Sequence, residues 1–285
     1  MAWDRWSVAR VIFGKVLPRV VLVWVLIACS MNWLNRWLVF HPSREMASTP
    51  RDYGLAYEDV SLVAADGVKL HAWYVPADEP SGGTVLFCHG NAGNVSHRDY
   101  TIELLHKLGM NVLIFDYRGY GLSEGLPSEE GTYIDAEAAW GHLVEARAEA
   151  PERIVIHGRS LGGSVAARLA ASHTPAGLIV ESSFHDITEL GAELYPWLPV
   201  RWLSRAKYHT AEYVKDVRCP VLVMHSRTDG MIGIHHGEKI YDAVNGPKRF
   251  VEIQGEHNGG YIESAEVYAP ALKAFFADVV NDGSR

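Results

Sequence analysis

Cysteine is scarce in this chain of 285 residues, with three in all, at Cys29, Cys88 and Cys219. None forms a Cys-x-x-Cys pair, so neither a disulfide framework nor a thiolate zinc site supports the fold. An excess of positive charge is also lacking: 26 basic residues against 34 acidic ones leave a net charge of −8. That balance argues against a nucleic-acid partner held through phosphate contacts. Internal repeats and low-complexity tracts are absent, and 11% aromatic with 21% charged residues excludes wholesale disorder. With 48% hydrophobic residues, the chain is long enough to bury one sizeable core.

The first 40 residues differ from the remainder. Arg5, Arg10, Lys15 and Arg19 precede the apolar run Val20-Val21-Leu22-Val23-Trp24-Val25-Leu26-Ile27-Ala28-Cys29. Positive residues ahead of an apolar run predict a secretory signal or a signal anchor, with the body of the chain exported to the periplasmic or extracellular side. The run is shorter than the roughly 20 residues of a spanning helix. Leu26-Ile27-Ala28-Cys29 resembles the bacterial lipobox, which would make Cys29 a lipidated N-terminus. The alternative is a retained helix with Trp33 and Trp37 at the interface. Either way, a membrane is the expected partner of residues 1–40, and residues 41–285 form the expected folded domain.

From Tyr57 onward, strand-like and helical stretches alternate. Tyr57–Val63 and Val68–Val75 flank an Asp66-Gly67 turn and predict an antiparallel hairpin. Thr84–Cys88, Asn111–Asp116, Arg153–His157, Gly177–Glu181, Pro220–His225 and Lys248–Ile253 are short apolar runs suited to strands covered on both faces. Helices are predicted over 95–108, 130–149, 160–173, 235–244 and 265–280. The last is expected to bury Val267, Ala271, Ala274, Phe275 and Val279. The class is α/β, a mainly parallel sheet wrapped by helices. Residues 184–213 break the rhythm with Leu190, Leu194, Tyr195, Trp197, Leu198, Trp202 and Leu203 between prolines, and predict a short apolar lid.

Gly158-Arg159-Ser160-Leu161-Gly162 fits the Gly-x-Ser-x-Gly elbow, with an apolar strand before it and an alanine-rich stretch after it. Ser160, at a helix N-terminus, is the candidate nucleophile. A serine needs a base, and among fourteen histidines His257 lies in the glycine-lined loop Gln254–Gly260 between the final strand and final helix. His89, His157 and His225, at strand ends, are expected to pack. His235 and His236, as neighbours on a helix, are expected to face different ways and not to share a metal. The orienting acid is expected between serine and histidine in chain order, at Asp229, with Glu181 as its rival. Leu161 and Asn91 are the candidate amide donors for an oxyanion, with Ala92 as the alternative to Asn91.

With these residues in order, the chain resembles the α/β-hydrolase superfamily over about residues 55–280. More narrowly, it is similar to the small, membrane-tethered branch that includes protein depalmitoylases and uncharacterised bacterial hydrolases. The marks are Phe87-Cys88-His89-Gly90-Asn91-Ala92-Gly93-Asn94, Asp116-Tyr117-Arg118-Gly119-Tyr120-Gly121, the elbow, His225-Ser226-Arg227-Thr228-Asp229 and Gly255-Glu256-His257. The resemblance implies a triad of Ser160, Asp229 and His257 and hydrolysis of an ester or thioester through an acyl-enzyme without metal or organic cofactor, and the apolar lid and membrane segment point to acyl or lipid-like substrates. A peptidase on the same triad, or a tethered binding module without turnover, are the rival readings. Two departures stand out: Gly233 where the family commonly has proline, and Asn258 where it commonly has aspartate. The Asp116–Gly125 run is expected to be structural, with Arg118 pairing Asp116.

Overall fold

The computed structural model describes residues 17–22, 39–78 and 81–280. Most of the predicted signal or anchor, including Cys29, Trp33 and Trp37, lies outside the described residues. Residues 17–22 are helical, with Leu17, Val20, Val21 and Leu22 exposed. Among the described residues no helix is long and apolar enough to cross a membrane.

Eight strands make one sheet: β1 (Glu58–Val63), β2 (Lys69–Val75), β3 (Thr84–Cys88), β4 (Asn111–Phe115), β5 (Ile154–Arg159), β6 (Gly177–Glu181), β7 (Val221–Ser226) and β8 (Lys248–Ile253). Their spatial order is β8-β7-β6-β5-β3-β4-β2-β1. β1 pairs antiparallel with β2, and β2 antiparallel with β4, whereas β3 to β8 run parallel. The hairpin closes where Gly67, at φ +84°, takes the left-handed conformation that a Cβ would disfavour. A separate two-residue parallel pairing joins His41–Pro42 to Ala92–Gly93, bringing the start of the domain beside the loop after β3.

Alternation along each central strand divides the core. Leu86, Leu113, Ile156, Leu178 and Val223 face one side, against α2 (Glu129–Gly141), α3 (Leu161–Ser172) and α7 (Ile234–Ala243). Val85, Phe87, Ile114, Ile179 and Leu222 face the other, against α1 (Asp99–Lys107) and α9 (Ala265–Val279), the latter preceded by the single turn α8 (Gly260–Glu263). Period-two side chains explain why these strands read as continuous apolar runs: both faces are covered. Each fully buried branched or aromatic side chain contributes about 1.5–3 kcal/mol.

Three expectations are corrected. The buried face of α9 is Tyr268, Leu272, Phe275 and Phe276, and Val267 is exposed. The two sets share Phe275 and are otherwise offset by about one residue, roughly 100° around the helix, and the large aromatics win the core position because they remove more apolar area from water. The helix expected over 130–149 is α2 to Gly141, then a wide turn over His142–Ala146 that ends before Ala148 at φ +53°. Arg118 pairs with Asp135 at 2.8 Å and Asp66 at 2.6 Å, not with Asp116. Asp116 instead accepts the Val95 N–H at 2.9 Å and lies 3.5 Å from His71 Nδ1. The run 116–125 still acts as a structural loop, and a Cβ at Gly121 would lie 2.0 Å from Asp116 Oδ2.

Residues 184–213 leave the sheet after β6 and form three short helices, α4 (Ile187–Leu194), α5 (Val200–Leu203) and α6 (Thr210–Tyr213). Asp186 caps α4 by accepting the Thr188 and Glu189 amides at 2.7 and 3.0 Å. Trp197 and Trp202 are 76% and 92% exposed and lie outside the core, whereas Phe184 and Tyr208 of the same stretch are buried in it.

Candidate active site

At the carboxyl ends of the parallel strands, four loops converge, the usual location of ligand sites in such sheets. Ser160 leaves β5 at φ +54°, ψ −121°, a conformation that a residue with a Cβ adopts only when its surroundings impose it. They do. The Ser160 amide donates to Glu181 O at 2.9 Å, and its carbonyl accepts Ser183 Oγ–H at 2.7 Å and the Gly163 amide at 3.0 Å. The flanking glycines are required sterically. A Cβ at Gly158 would lie 2.2 Å from Gly162 O, and one at Gly162 would lie 2.0 Å from Cys88 O. Only glycines let α3 start this close to β3 and β5, which is the physical content of the elbow.

His257 Nε2 lies 3.1 Å from Ser160 Oγ, and His257 Nδ1 lies 2.7 Å from Asp229 Oδ2. Asp229 also accepts the Met231 and Ile232 amides on Oδ1 at 2.9 and 2.8 Å. Burial pushes the Asp229 carboxyl up, but the His257 contact and the two amides outweigh it and hold its pKa below the ordinary value. An ionised carboxylate only accepts, so the proton between the pair sits on His257 Nδ1, and the Nε2 lone pair is presented to Ser160 Oγ. Acid and base loops are also tied together directly. Thr228 Oγ1 accepts the Gly255 amide at 2.8 Å, and Ser226 Oγ–H donates to Gly255 O.

Glu181, the rival acid, lies buried elsewhere, 2.9 Å from His157 Nε2, 2.7 Å from Tyr268 OH and 3.5 Å from Arg159 Nε. Burial raises its pKa, but the Arg159 charge and the His157 and Tyr268 contacts reverse this and bring it to about 2. Arg159 in turn donates to His257 O at 2.8 Å and lies 4.6 Å from the centre of the Tyr261 ring. Sequence reasoning passed over Arg159 because it occupies the variable position of the elbow. Its charge in an apolar strand was the signal available, since a buried guanidinium must have a partner.

Asn91 and Leu161 line the same cavity as Ser160. Among the described residues, neither backbone amide meets a protein acceptor. The Asn91 side chain is fixed from behind, its Oδ1 accepting Tyr120 O–H at 2.8 Å and the His41 amide at 3.2 Å. Ala92 is instead held in the short pairing with His41, and its carbonyl accepts from the half-buried Arg98. The cavity has a volume of about 410 Å³. Its walls are apolar side chains of the 184–213 segment, among them Ile187, Leu190, Leu194 and Leu203, with Met231 and Ile232 opposite.

Of the other histidines, His157 and His225 pack as expected. His157 stands edge-on to Phe87, and His225 Nε2 lies 2.8 Å from Ile232 O, bracing the acid loop. His235 and His236 do not diverge. Both Nε2 atoms lie 3.1 Å from the two carboxylate oxygens of Glu193 on α4. The first turn of α7 lies alongside α4, so adjacent side chains reach one acceptor from two directions.

Residues 79–210 match the family described as serine aminopeptidase, S33. An uncharacterized protein of Mycobacterium tuberculosis is 36% identical over 269 residues, covering 93% of this chain and 96% of its own length. The alpha/beta hydrolase domain-containing protein WAV2 of Arabidopsis thaliana is 35% identical, with 79% and 80% covered. An uncharacterized membrane protein of Saccharomyces cerevisiae is 30% identical, with 90% and 93% covered. Among solved structures, an esterase of Pyrococcus furiosus superposes with a TM-score of 0.72 over 85% of this chain and 99% of its own, at 22% identity. Sheet order, elbow and relatives agree: this chain belongs to the α/β-hydrolase superfamily and is a hydrolase.

Proposed function

We propose that the hydrolase cleaves carboxylic esters or thioesters of acyl chains through a covalent acyl-enzyme. The observation that carries this reading is the Ser160–His257–Asp229 relay opening into an apolar cavity. Ser160 Oγ attacks the acyl carbonyl while His257 Nε2 takes its proton. The resulting imidazolium is stabilised by Asp229 through Nδ1–H. Negative charge on the carbonyl oxygen is received by the Leu161 and Asn91 amides, a contribution of about 3–4 kcal/mol per donor in comparable sites. Collapse breaks the bond to the alcohol or thiol, which leaves with the proton from His257. Water then attacks the acyl-serine by the same route, returning Ser160 and releasing the acid.

Apolar walls favour an acyl chain over a peptide. Among the described residues no aspartate or glutamate lines the cavity, so the lining gives no support to an aminopeptidase reading. The 184–213 segment serves as the lid in this reading. Residues 1–40 attach the domain to a membrane on the exported side, consistent with basic residues preceding the apolar run and with the membrane-tethered depalmitoylase-like branch. Mass spectrometry of the mature N-terminus separates a lipidated Cys29 from an intact anchor.

The test is hydrolysis of p-nitrophenyl esters and acyl-thioesters of increasing chain length. Turnover that rises from acetyl to medium chains and disappears in Ser160→Ala supports the reading. Turnover retained in that variant, or a well-folded protein inert towards every ester, overturns it and favours a binding module.

A further inference from the structure

Outside the relay, the densest group of imidazoles lies where α4 meets the start of α7. Glu193 comes from α4 and His235 and His236 from the first turn of α7, and one donor atom from each lies within 4.8 Å of the others. His185, from the loop before α4, places its Nδ1 2.6 Å from His236 Nδ1. We propose that Glu193, His235 and His236 bind a divalent transition ion, zinc by preference, which clamps the cavity wall to the body of the hydrolase.

The chemistry of the donor set fits. Two imidazoles and a carboxylate form a typical three-ligand zinc set, leaving a fourth position for water. His235 Nε2 lies 3.1 Å from Glu193 Oε1 and His236 Nε2 3.1 Å from Oε2, each close to the donor–donor separation of about 3.3 Å for zinc bonds of about 2.0–2.1 Å, so the carboxylate needs only a small rotation to present one oxygen, or binds through both. The side chains of Glu193 and His235 are both 45% exposed, so an ion has an entry path and water a place. His236 is buried with its Nε2 turned to Glu193, so its ring is already held in the ligating orientation.

His185 supplies the outer partner that metal-bound histidines usually have. With the ion on Nε2, His236 carries its proton on Nδ1 and donates it to His185 Nδ1, giving up the long 3.4 Å contact that the same Nδ1 accepts from the His185 amide. His185 then holds its own proton on Nε2, beside exposed Lys239 at 3.5 Å, whose side chain can swing into solvent. Protons are only redistributed between the two rings, so occupation demands no buried charge on either.

The location gives the ion a consequence. Leu190 and Leu194 on α4 line the cavity, and Glu193 is the residue of the same helix directed at α7. α7 itself follows the loop that carries Asp229, Met231 and Ile232. An ion bridging α4 to α7 therefore fixes the width of the cavity beside the relay, without entering the reaction. Binding of the ion does not depend on the proposed ester chemistry.

The experiment uses the untagged full chain, stripped with chelator and titrated with zinc chloride while metal content, thermal midpoint and the visible spectrum of a cobalt-substituted sample are followed. The expected result is one ion per chain, a zinc-dependent rise in thermal midpoint and the intense visible bands of tetrahedral cobalt. His235→Ala and Glu193→Gln, both at half-exposed positions, should weaken zinc binding by about 100-fold or more and abolish the cobalt bands. Absence of stoichiometric zinc, or unchanged affinity in His235→Ala, would overturn the proposal, the latter by assigning the ion to other histidines.

Discussion

The elbow and the 184–213 segment lie on opposite sides of one cavity and are held by different physics. On the elbow side, Ser160 is fixed by three backbone-directed hydrogen bonds and by glycines with no room for a methyl group. Its supports are buried charges paired with one another, Glu181 with Arg159 and Arg159 with the His257 carbonyl. On the other side, α4 and α5 are joined by the half-exposed Glu189–Arg201 pair, and α4 meets α7 through Glu193. Two exposed tryptophans lie on that outer surface. Close packing with paired buried charge permits one geometry, as a strained nucleophile requires. The segment of short helices keeps Phe184, Leu190 and Tyr208 in the core, but its outer helices are linked by surface ion pairs worth only about 0–1 kcal/mol each. In the proposed reaction, geometry belongs to the sheet and selection among acyl chains to the segment above it.

The contrast breaks most sharply at the relay. Asp229→Asn removes the charge that holds His257 in the reactive tautomer, and should lower kcat about 10⁴-fold in an ester assay while leaving the thermal midpoint nearly unchanged. A comparable loss of stability instead would make Asp229 a structural residue.

Glu181→Gln addresses the support behind it. It leaves the Arg159 guanidinium buried without its partner charge, and about 3 kcal/mol of stability should be lost in chemical denaturation at pH 7. The pH dependence carries a definite sign. The folded pKa of about 2 lies below the ordinary 4.5, so the stabilisation is fully present above pH 4.5 and is lost as pH falls towards 2. The variant should show a flatter stability profile across that window than the parent.

On the cavity side the effects are smaller and selective. Leu190→Trp fills space along the wall and should reduce kcat/KM for long-chain esters about 10-fold, an energy comparable to losing burial of about two methylenes. Acetyl ester turnover should change less than about twofold. An equal loss on both substrates would merge the two regions into one.

The smallest effect is expected at Gly233. Its φ of −58° and ψ of 146° suit proline, and a Cβ there meets only the half-exposed His235 ring at 2.8 Å. Gly233→Pro should therefore raise stability by about 0.4–1 kcal/mol through the unfolded chain, read as a shift in denaturation midpoint. The glycine found there does not unlock the acid loop, whose Asp229 is held by two amides upstream of position 233.

Much of this was legible in the amino-acid sequence, for physical reasons that differ by element. The central parallel strands were readable because coverage on both faces turns each into a short apolar run, whereas β8, expected to be covered likewise, is an edge strand with Lys248, Arg249 and Glu252 exposed. Ser160, Asp229 and His257 could be nominated because each sits in a loop directly after a strand, where local residue types carry the signal. The Glu181–Arg159–His257 carbonyl chain was hidden, since it joins β6, the elbow and the last loop through contacts that no local pattern encodes. The convergence of His235 and His236 on Glu193 was hidden for the same reason, as the acceptor lies more than 40 residues upstream on another helix. Boundaries failed where helical periodicity is ambiguous, at Val267 against Tyr268 and in the turn after Gly141.

The most direct test of the central claim, a serine activated by His257, is covalent labelling with a fluorophosphonate probe followed by peptide mass spectrometry. The account predicts one modified residue, Ser160, with labelling slowed at least about 10³-fold in His257→Ala in a sample that remains folded. Labelling at another serine, or at Ser160 with equal speed in the absence of His257, would contradict it.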